Sequence, residues 1–280
     1  MTDIPEVTID ELMARYEVLL LDAYGVLVHS GGALPGAAGL IDRLNREERR
    51  YFVVTNDASK LPATSAARYR GYGLHLSPDR IITSGSLLAG YFAAHGLSGA
   101  RCVVLGPTDS ERYVEQAGGR IVLPSDGFDV LVVGDESGYP FLETVDRVLT
   151  SLFRALDRGD EIRLVLPNPD LIYPAGDGSF GFASGTVAAM FEAALQARYP
   201  DRADLRFARL GKPHPAIFEE ALRRSGTRNM IMIGDQVETD IRGACVFGLD
   251  SALVGTGVTH SSLESLPADI RPTYLLRSLV

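Results

Sequence analysis

The hydrophobic positions of the chain fall into short unbroken runs that end in polar or acidic residues. The first run, VLLL at positions 18 to 21, is followed directly by Asp22. Later runs repeat the pattern in YFVVTND, RCVVLGPTDS, FDVLVVGDES, IRLVLPNPD and NMIMIGDQ. Uninterrupted apolar runs of this length are typical of strands buried on both faces, and such strands belong to parallel sheets covered by helices.

Segments with helical periodicity separate these runs. PGAAGLIDRLNRE carries apolar residues at helical spacing, and so does AIFEEALRRSG, which begins near Pro215 and stops at Gly226. Thr8 and Glu11 form a capping-box pattern, which predicts a short helix before the first strand. The alternation of strands and helices predicts an α/β fold with a doubly wound parallel sheet.

Composition narrows the classes of function. The 280 residues are 46% hydrophobic, which is enough for substantial cores, and the net charge is -9. The 27 basic residues are scattered, so we expect no nucleic-acid partner. The acidic N-terminal stretch lacks an apolar signal core, and no apolar stretch approaches the roughly 20 residues of a membrane span. We therefore expect a cytoplasmic protein without a membrane partner.

The two cysteines suggest no chemistry of their own. Cys102 and Cys245 cannot form a disulfide framework and lack the spacing of metal ligands. We expect both to serve as small buried apolar residues.

Four groups of polar residues lie at or beside the predicted strand ends, where ligands bind in open α/β sheets. They are Asp22 with Gly25, Thr55 with Asn56, Lys212 in GKPHP, and Asp235 with Asp240 in MIGDQVETD. Each group alone has an ordinary structural explanation as a turn, a helix cap, a surface lysine or a charge at a helix N-terminus. Their occurrence together, in this order, predicts a catalytic site.

These motifs resemble those of the haloacid dehalogenase superfamily. The resemblance is to its class IIA phosphatases with a large α/β cap, which include sugar-phosphate, nucleotide, 4-nitrophenyl phosphate and pyridoxal phosphate phosphatases. That family's pattern is an aspartate nucleophile after the first strand, Thr/Ser-Asn after the second, a lysine, and Gly-Asp with a further Asp. The likeness continues through HSGGALPGA, ITSGSLLAGYF, NPD and GACVFGLDSALVGTGV, so it covers nearly the whole chain.

The resemblance implies a Mg²⁺-dependent phosphatase that works through an aspartyl-phosphate on Asp22. Mg²⁺ would be held by Asp22, Asp235 and the backbone carbonyl of Tyr24, with support from Asp240. Lys212 would offset negative charge, while Thr55 and Asn56 would donate hydrogen bonds to the transferring oxygens. The expected partner is a small phosphorylated metabolite, and a homodimer is compatible with this expectation.

The resemblance also implies a cap inserted into a Rossmann-like core. We predict the core at residues 1–89 and 207–280 and an α/β cap at 90–206, with hinges near Gly90 and Ala208. In the family this lid selects the leaving group. NPDLIYPAGDGSFGFASGT is the richest polar segment of the cap, and we predict that Asn168 and Asp170 bind substrate at the cap-core interface. The alternative is an ordinary Gly-rich surface loop.

Position 24 departs from the family pattern. The usual motif is Asp-x-Asp, and its second aspartate acts as general acid for the leaving group and then as base for water. Tyr24 stands in that position. A phenol has a reference pKa near 10, against about 4 for a carboxyl group, so it can donate a proton but is a poor base. The hydrolytic half of the cycle should suffer most.

Three hypotheses follow from this departure. The first is a Mg²⁺-dependent phosphatase that is slow, prefers good leaving groups, or uses a substitute base such as His29. The second is a metal-independent 2-haloacid dehalogenase, because those enzymes carry their nucleophile in the form DAYG. The acidic motif GDQVETD argues against it. The third is a non-catalytic protein that binds a phosphorylated ligand.

Overall fold

The computed structural model describes residues 4–176, 178–255, 266–267 and 270–280. The chain divides into two compact units. The first comprises Met1–Thr55, Pro62–Ile82 and Lys212–Val280, and the second comprises Asn56–Leu61 and Thr83–Gly211. These divisions fall near the predicted boundaries at residues 90 and 206 without coinciding with them, and the core and cap limits stay a prediction. Asp177 of the polar cap segment and residues 256–258 of the last family-like stretch lie outside the described residues.

The strands are numbered in chain order. They are β1 (Glu6–Val7), β2 (Val18–Leu21), β3 (Val28–His29), β4 (Gly32–Ala33), β5 (Arg50–Thr55), β6 (Ile81–Thr83), β7 (Arg101–Leu105), β8 (Arg120–Ile121), β9 (Val130–Val133), β10 (Arg163–Leu166), β11 (Ile172–Gly176), β12 (Ser179–Phe182), β13 (Ala208–Arg209), β14 (Met230–Gly234), β15 (Asp250–Val254) and β16 (Tyr274–Leu276).

The α-helices are numbered in the same way. They are α1 (Ile9–Arg15), α2 (Ala37–Arg46), α3 (Pro62–Gly71), α4 (Leu88–Ala94), α5 (Thr108–Gln116), α6 (Phe141–Asp157), α7 (Ser184–Arg198), α8 (Pro215–Ser225) and α9 (Arg242–Phe247). Short 3-10 helices cover Pro78–Arg80, Ser84–Leu87 and Pro124–Asp126, and a π-helical turn covers Val237–Ile241.

The first unit is built on a seven-stranded sheet in the order β1-β16-β15-β14-β2-β5-β6. Strand β2 lies in the interior of the sheet and pairs in parallel with β14 and β5, so that Leu21 lies opposite both Ile233 and Val53. All four residues of β2 are buried, as expected for a strand covered by helices on both faces. The carboxyl ends of β14, β2 and β5 therefore lie side by side.

The second unit has its own five-stranded sheet in the order β13-β10-β9-β7-β8, with parallel pairing throughout. Helices α6 and α7 contribute Val148, Leu152 and Phe191 to a core shared with the apolar residues of β7, β9 and β10. A separate antiparallel ribbon joins β11 to β12. Each unit thus has a hydrophobic core of its own.

The predicted α/β class with a doubly wound parallel sheet is confirmed, and the second unit is also built from helices around a sheet of its own. The capping box of Thr8 and Glu11 is present at the start of α1, and Gly226 ends α8 in the left-handed conformation. Cys102 is buried and Cys245 is partly buried, and neither forms a disulfide. Among the described residues, no helix combines the length and the apolar character that crossing a bilayer requires.

Candidate active site

Asp22 lies at the carboxyl end of β2 and is buried. Its backbone N–H donates to the carbonyl of Ile233 at 2.9 Å, which extends the pairing with β14 by one residue. The chain then turns sharply: the N–H groups of Leu27 and Val28 both donate to the carbonyl of Ala23 at 2.9 Å. The Asp22 carboxylate is thereby held on a rigid strand end rather than on a loose loop.

Gly25 allows this turn and makes room for a second carboxylate. Its φ of +88° lies in the left-handed region that side chains disfavour. A Cβ at this position would lie 2.0 Å from Oδ2 of Asp235, the residue that directly follows β14. The glycine is therefore required both by the backbone conformation and by the close approach of Asp235.

Lys212 connects two of the acidic groups. Its Nζ atom donates to Oδ1 of Asp22 and to Oδ1 of Asp240, each at 2.6 Å. Its side chain is 3% exposed, so this is a buried ion pair rather than a solvated lysine on the surface. The structure thus brings the Lys212 ammonium within hydrogen-bonding reach of Asp22. The catalytic role of Lys212 stays a prediction.

Asp240 lies on the π-helical turn and is fully buried. One of its oxygens accepts from Lys212, while Oδ2 accepts from the backbone N–H of Gln236 at 3.1 Å. A Cβ on Gly234 would lie 2.2 Å from the Cβ of Asp240, so the Gly-Asp motif needs its glycine for packing. Both Asp240 oxygens have protein donors, so this residue holds Lys212 in place.

Burial and mutual repulsion raise the pKa values of two carboxyl groups. The pKa of Asp22 rises to about 7, chiefly through burial and then through the charge of Asp240, against the opposing effect of Lys212. The pKa of Asp235 rises to about 8 through burial and the charges of Asp22 and Asp240. Burial alone would lower the pKa of Lys212, but the two neighbouring carboxylates outweigh it and raise that pKa.

The donor set suits a hard divalent cation. One carboxylate oxygen from each of Asp22, Asp235 and Asp240 lies within 4.8 Å of the others. Three carboxylates against one ammonium leave two negative charges in excess when all are ionised, in a buried place where unpaired charge is costly. Carboxylate oxygens are the ligands that Mg²⁺ and Ca²⁺ prefer. The residues present therefore fit such an ion.

Tyr24 packs against the hydrophobic core of the first unit and is partly buried. Its backbone forms a single β-bridge with Val28. The ring therefore has a packing role in addition to any chemical one. His29, the suggested substitute base, is exposed on β3, and its Nδ1 accepts from the backbone N–H of Gly31 at 2.9 Å. That bond gives His29 a local structural role in the β3–β4 hairpin.

Thr55 is the last residue of β5 and is buried in the first unit, next to the strand that carries Asp22. Asn56 follows it in the chain but groups with the second unit. There its Nδ2 donates to Oδ1 of Asp170 at 2.8 Å. Asn168 forms a local turn, because its Oδ1 accepts from the backbone N–H of Asp170 at 2.9 Å. Substrate binding by these four residues stays a prediction.

Comparison with known proteins agrees with this constellation. The family model for haloacid dehalogenase-like hydrolases matches residues 19–120, and a second HAD-hydrolase-like model matches residues 209–280. The chain belongs to the haloacid dehalogenase-like hydrolases. The predicted family is thus confirmed, and the two matched segments contain Asp22, Thr55, Lys212, Asp235 and Asp240.

Named relatives of this haloacid dehalogenase-like hydrolase are phosphatases. It is 28% identical over 264 residues to dihydroxyacetone phosphatase of Corynebacterium glutamicum, covering 93% of this chain and 88% of that one. The crystal structure of a possible sugar phosphatase from Cytophaga hutchinsonii superposes with a TM-score of 0.83 at 30% identity, covering 99% of both chains. These similarities agree with the predicted enzyme class, a haloacid dehalogenase-type phosphatase, and not with the dehalogenase alternative.

A third similarity involves a metal. Glycerol phosphate phosphatase from Mycobacterium tuberculosis has crystal structures with calcium and with magnesium, each with a TM-score of 0.80 to this chain. The sequence identities are 27% and 25%. The superpositions cover 96% of this chain and 75% and 76% of the other. This relative therefore has structures in complex with two different divalent cations.

Proposed function

We propose that this protein is a Mg²⁺-dependent phosphatase that hydrolyses a small phosphorylated metabolite through an aspartyl-phosphate on Asp22. The observation that carries this proposal is the ion pair of Lys212 with Asp22 and Asp240, next to Asp235, in one buried cluster at the strand ends. A carboxylate held by a buried ammonium on a rigid strand end is suited to nucleophilic attack at a fixed geometry.

Asp22, Asp235 and the carbonyl of Tyr24 would hold the metal, and Asp240 would support it through Lys212. When bound, the cation supplies positive charge that keeps the carboxylates ionised and offsets the charge of the phosphoryl oxygens. The structure supports this assignment through the two excess negative charges of the cluster.

The reaction then runs in two steps. A carboxylate oxygen of Asp22 forms a bond to phosphorus, while the bond from phosphorus to the ester oxygen breaks and the alkoxide leaves with a proton. Water next attacks the phosphorus of the aspartyl-phosphate, which releases inorganic phosphate and restores Asp22. Lys212 stays charged throughout and offsets the negative charge that builds up on the phosphoryl oxygens.

Tyr24 should make the two steps differ in rate. As a phenol it can donate a proton to the leaving oxygen, but it is a weak base for water. Formation of the aspartyl-phosphate should therefore be faster than its hydrolysis. Substrates with good leaving groups, such as aryl phosphates, should react faster than alkyl phosphates.

The relatives guide the choice of substrates. Dihydroxyacetone phosphatase, the possible sugar phosphatase and glycerol phosphate phosphatase are all named for phosphate esters of a polyol or a sugar. We propose a substrate of the same class, a short hydroxylated carbon chain with one phosphate ester, for an enzyme in the cytoplasm.

The test is a phosphate-release assay with and without Mg²⁺. The panel contains glycerol 3-phosphate, dihydroxyacetone phosphate, hexose phosphates and 4-nitrophenyl phosphate, with 2-haloacids assayed for halide release. We expect Mg²⁺-dependent release that chelation abolishes, and an acid-stable phosphate on the peptide that contains Asp22. Halide release without metal would instead support a dehalogenase.

Matched carboxylate variants make the test specific. Asp22→Asn should abolish turnover and the phosphorylation of the peptide that contains residue 22. Asp42→Asn, at an exposed position of α2, should leave both unchanged. Binding of phosphate esters by the wild-type protein without any turnover would favour the non-catalytic hypothesis.

A further inference from the structure

The segment Asn56–Leu61 continues from β5, a strand of the first unit, yet it groups with the second unit. Its first residue is a proposed donor to the transferring phosphoryl group. Side chains from elsewhere in the second unit hydrogen-bond to four of the six residues of this segment, namely Asn56, Ala58, Lys60 and Leu61. Sequence analysis did not single these side chains out, although ITSGS, which contains Thr83 and Ser84, is among the family-like stretches.

Three hydroxyl groups donate to backbone carbonyls of the segment. Ser84 Oγ donates to the carbonyl of Asn56 at 2.6 Å, and Ser110 Oγ donates to the carbonyl of Ala58 at 2.8 Å. The hydroxyl of Tyr113 donates to the carbonyl of Lys60 at 2.6 Å. Ser84, Ser110 and Tyr113 are all buried, so loss of any one hydroxyl removes a buried donor from a carbonyl of the segment.

Two acidic side chains hold the ends of the segment. Asp170 Oδ1 accepts from the side-chain amide of Asn56 at 2.8 Å. Asp109 Oδ2 accepts from the backbone N–H of Leu61 at 3.0 Å. Between these ends, Asp57 closes a local turn by accepting from the N–H groups of Ser59 and Lys60. The conformation of the segment is therefore set from both ends and from the middle.

The hydrogen bonds of Tyr113 have a defined direction. A carbonyl only accepts, so the Tyr113 proton goes to Lys60 and the hydroxyl of Thr83 must donate to the Tyr113 oxygen, 2.6 Å away. Thr83 in turn accepts from the backbone N–H of Ser86 at 3.2 Å. The ring lies over Gly85, where a Cβ would approach it to 2.4 Å. This chain of bonds joins α5, the 3-10 helix Ser84–Leu87 and the segment.

We infer that Ser84, Ser110 and Tyr113 are positioning residues for the phosphoryl-binding segment Asn56–Leu61. This inference rests on the proposed function. The three hydroxyls hold the carbonyls of the segment within the second unit, which fixes the path of the backbone that carries the N–H and side chain of Asn56.

A positioning role of these hydroxyls predicts kinetic effects that a purely structural role does not. Asn56 would contact the phosphoryl group, which every substrate shares, and not the leaving group. A misplaced segment should therefore lower kcat by the same factor for every leaving group. It should also weaken the binding of inorganic phosphate. Displacements of about 1 Å in such donors cost up to about 10²-fold.

The experiment compares Tyr113→Phe and Ser110→Ala with Tyr199→Phe. Tyr199 is the C-cap residue of α7 in the same unit, and its hydroxyl donates to Asp157 at 2.7 Å, so this control also removes one phenolic hydroxyl. For Tyr113→Phe and Ser110→Ala we expect kcat/KM to fall about ten- to hundred-fold, equally for 4-nitrophenyl phosphate and glycerol 3-phosphate, with weaker product inhibition by phosphate. Amide hydrogen exchange should rise in the peptide that covers residues 56–61. Tyr199→Phe should change none of these.

Each outcome has a clear consequence. Folded Tyr113→Phe and Ser110→Ala proteins with wild-type kcat and phosphate inhibition would overturn the inference, even if their melting temperatures fell. A loss confined to one leaving group would overturn it as well. A wild-type protein that neither hydrolyses nor binds phosphate would overturn the proposed function, and this inference with it.

Discussion

A Cβ on Gly25 would lie 2.0 Å from Oδ2 of Asp235, so the turn after β2 and the carboxylate after β14 occupy adjoining space. Gly25 also has a φ of +88°. One residue therefore allows both the turn that follows Asp22 and the approach of a second acidic group. This close approach links the ends of β2 and β14, two paired strands that lie more than 200 residues apart in the chain.

Gly25→Ala should displace Asp235 and weaken the metal site. We expect a loss of at least about 1 kcal/mol in unfolding free energy from the disfavoured φ, and a higher Mg²⁺ concentration for half-maximal activity. The control is Gly39→Ala on α2, where a Cβ meets nothing within 4 Å. That change should stabilise the protein by roughly 0.5–1 kcal/mol and leave the Mg²⁺ requirement unchanged. Equal Mg²⁺ requirements in both variants would contradict the role of Gly25.

Lys212→Met should abolish turnover and destabilise the protein. The variant leaves Asp22 and Asp240 buried without their ammonium partner, and removal of one partner from a buried ion pair typically costs about 3–5 kcal/mol. Lys60→Met is the stability control, because Lys60 is half-buried and pairs with Asp57 at 3.5 Å. Loss of the Lys60–Asp57 ion pair should lower the unfolding free energy by less than about 1 kcal/mol. Denaturant unfolding and phosphate release measure both effects, and an active Lys212→Met protein would disprove the assigned role.

Tyr24→Asp should raise steady-state hydrolysis, most strongly for alkyl phosphates. A carboxyl group can serve both as acid for the leaving oxygen and as base for water, and a positioned acid or base is typically worth about 10² to 10⁴-fold. Part of the gain will be lost because the Tyr24 ring packs against the core.

Tyr24→Phe is the matching control, since it keeps the ring and removes only the hydroxyl. If the phenol donates the proton, this variant should lose activity toward alkyl phosphates and keep it toward aryl phosphates. No gain in a folded, metal-binding Tyr24→Asp protein would refute the missing-base hypothesis.

Glu136 should make stability depend on pH. Burial, followed by the charge of Asp135, raises the pKa of this carboxyl group from 4.5 to about 7, against the opposing effect of Lys60. Between these values the folded protein binds a proton that the unfolded chain releases, so stability should fall as pH rises from about 4.5 to 7. Glu136→Gln should flatten this part of the melting-temperature profile, and Glu115→Gln, at an exposed position of α5, should not. An unchanged slope in Glu136→Gln would contradict the raised pKa.

Strand ends, helix ends and the acidic positions beside them were open to prediction because they depend on local patterns. The apolar run before Asp22 predicts β2, and the run before Asp235 predicts β14, since burial on both faces demands continuous hydrophobicity. The capping box at Thr8 and the left-handed Gly226 likewise depend on a few neighbouring residues. The resemblance to the family motifs added the prediction that the polar positions at the strand ends form one site.

Tertiary structure alone decided which residues meet. The placement of β2 between β14 and β5 brings Asp22 beside Asp235, and a π-helical turn brings Asp240 to Lys212. Tertiary structure also places Asn168 in a local turn and joins Asn56 to Asp170. It holds the segment Asn56–Leu61 through the hydroxyls of Ser84, Ser110 and Tyr113. A local pattern encodes whether a residue is buried or caps an element. The partner it meets depends on strand order and on the packing of the whole chain, because contacts between distant segments form only when their cores close together.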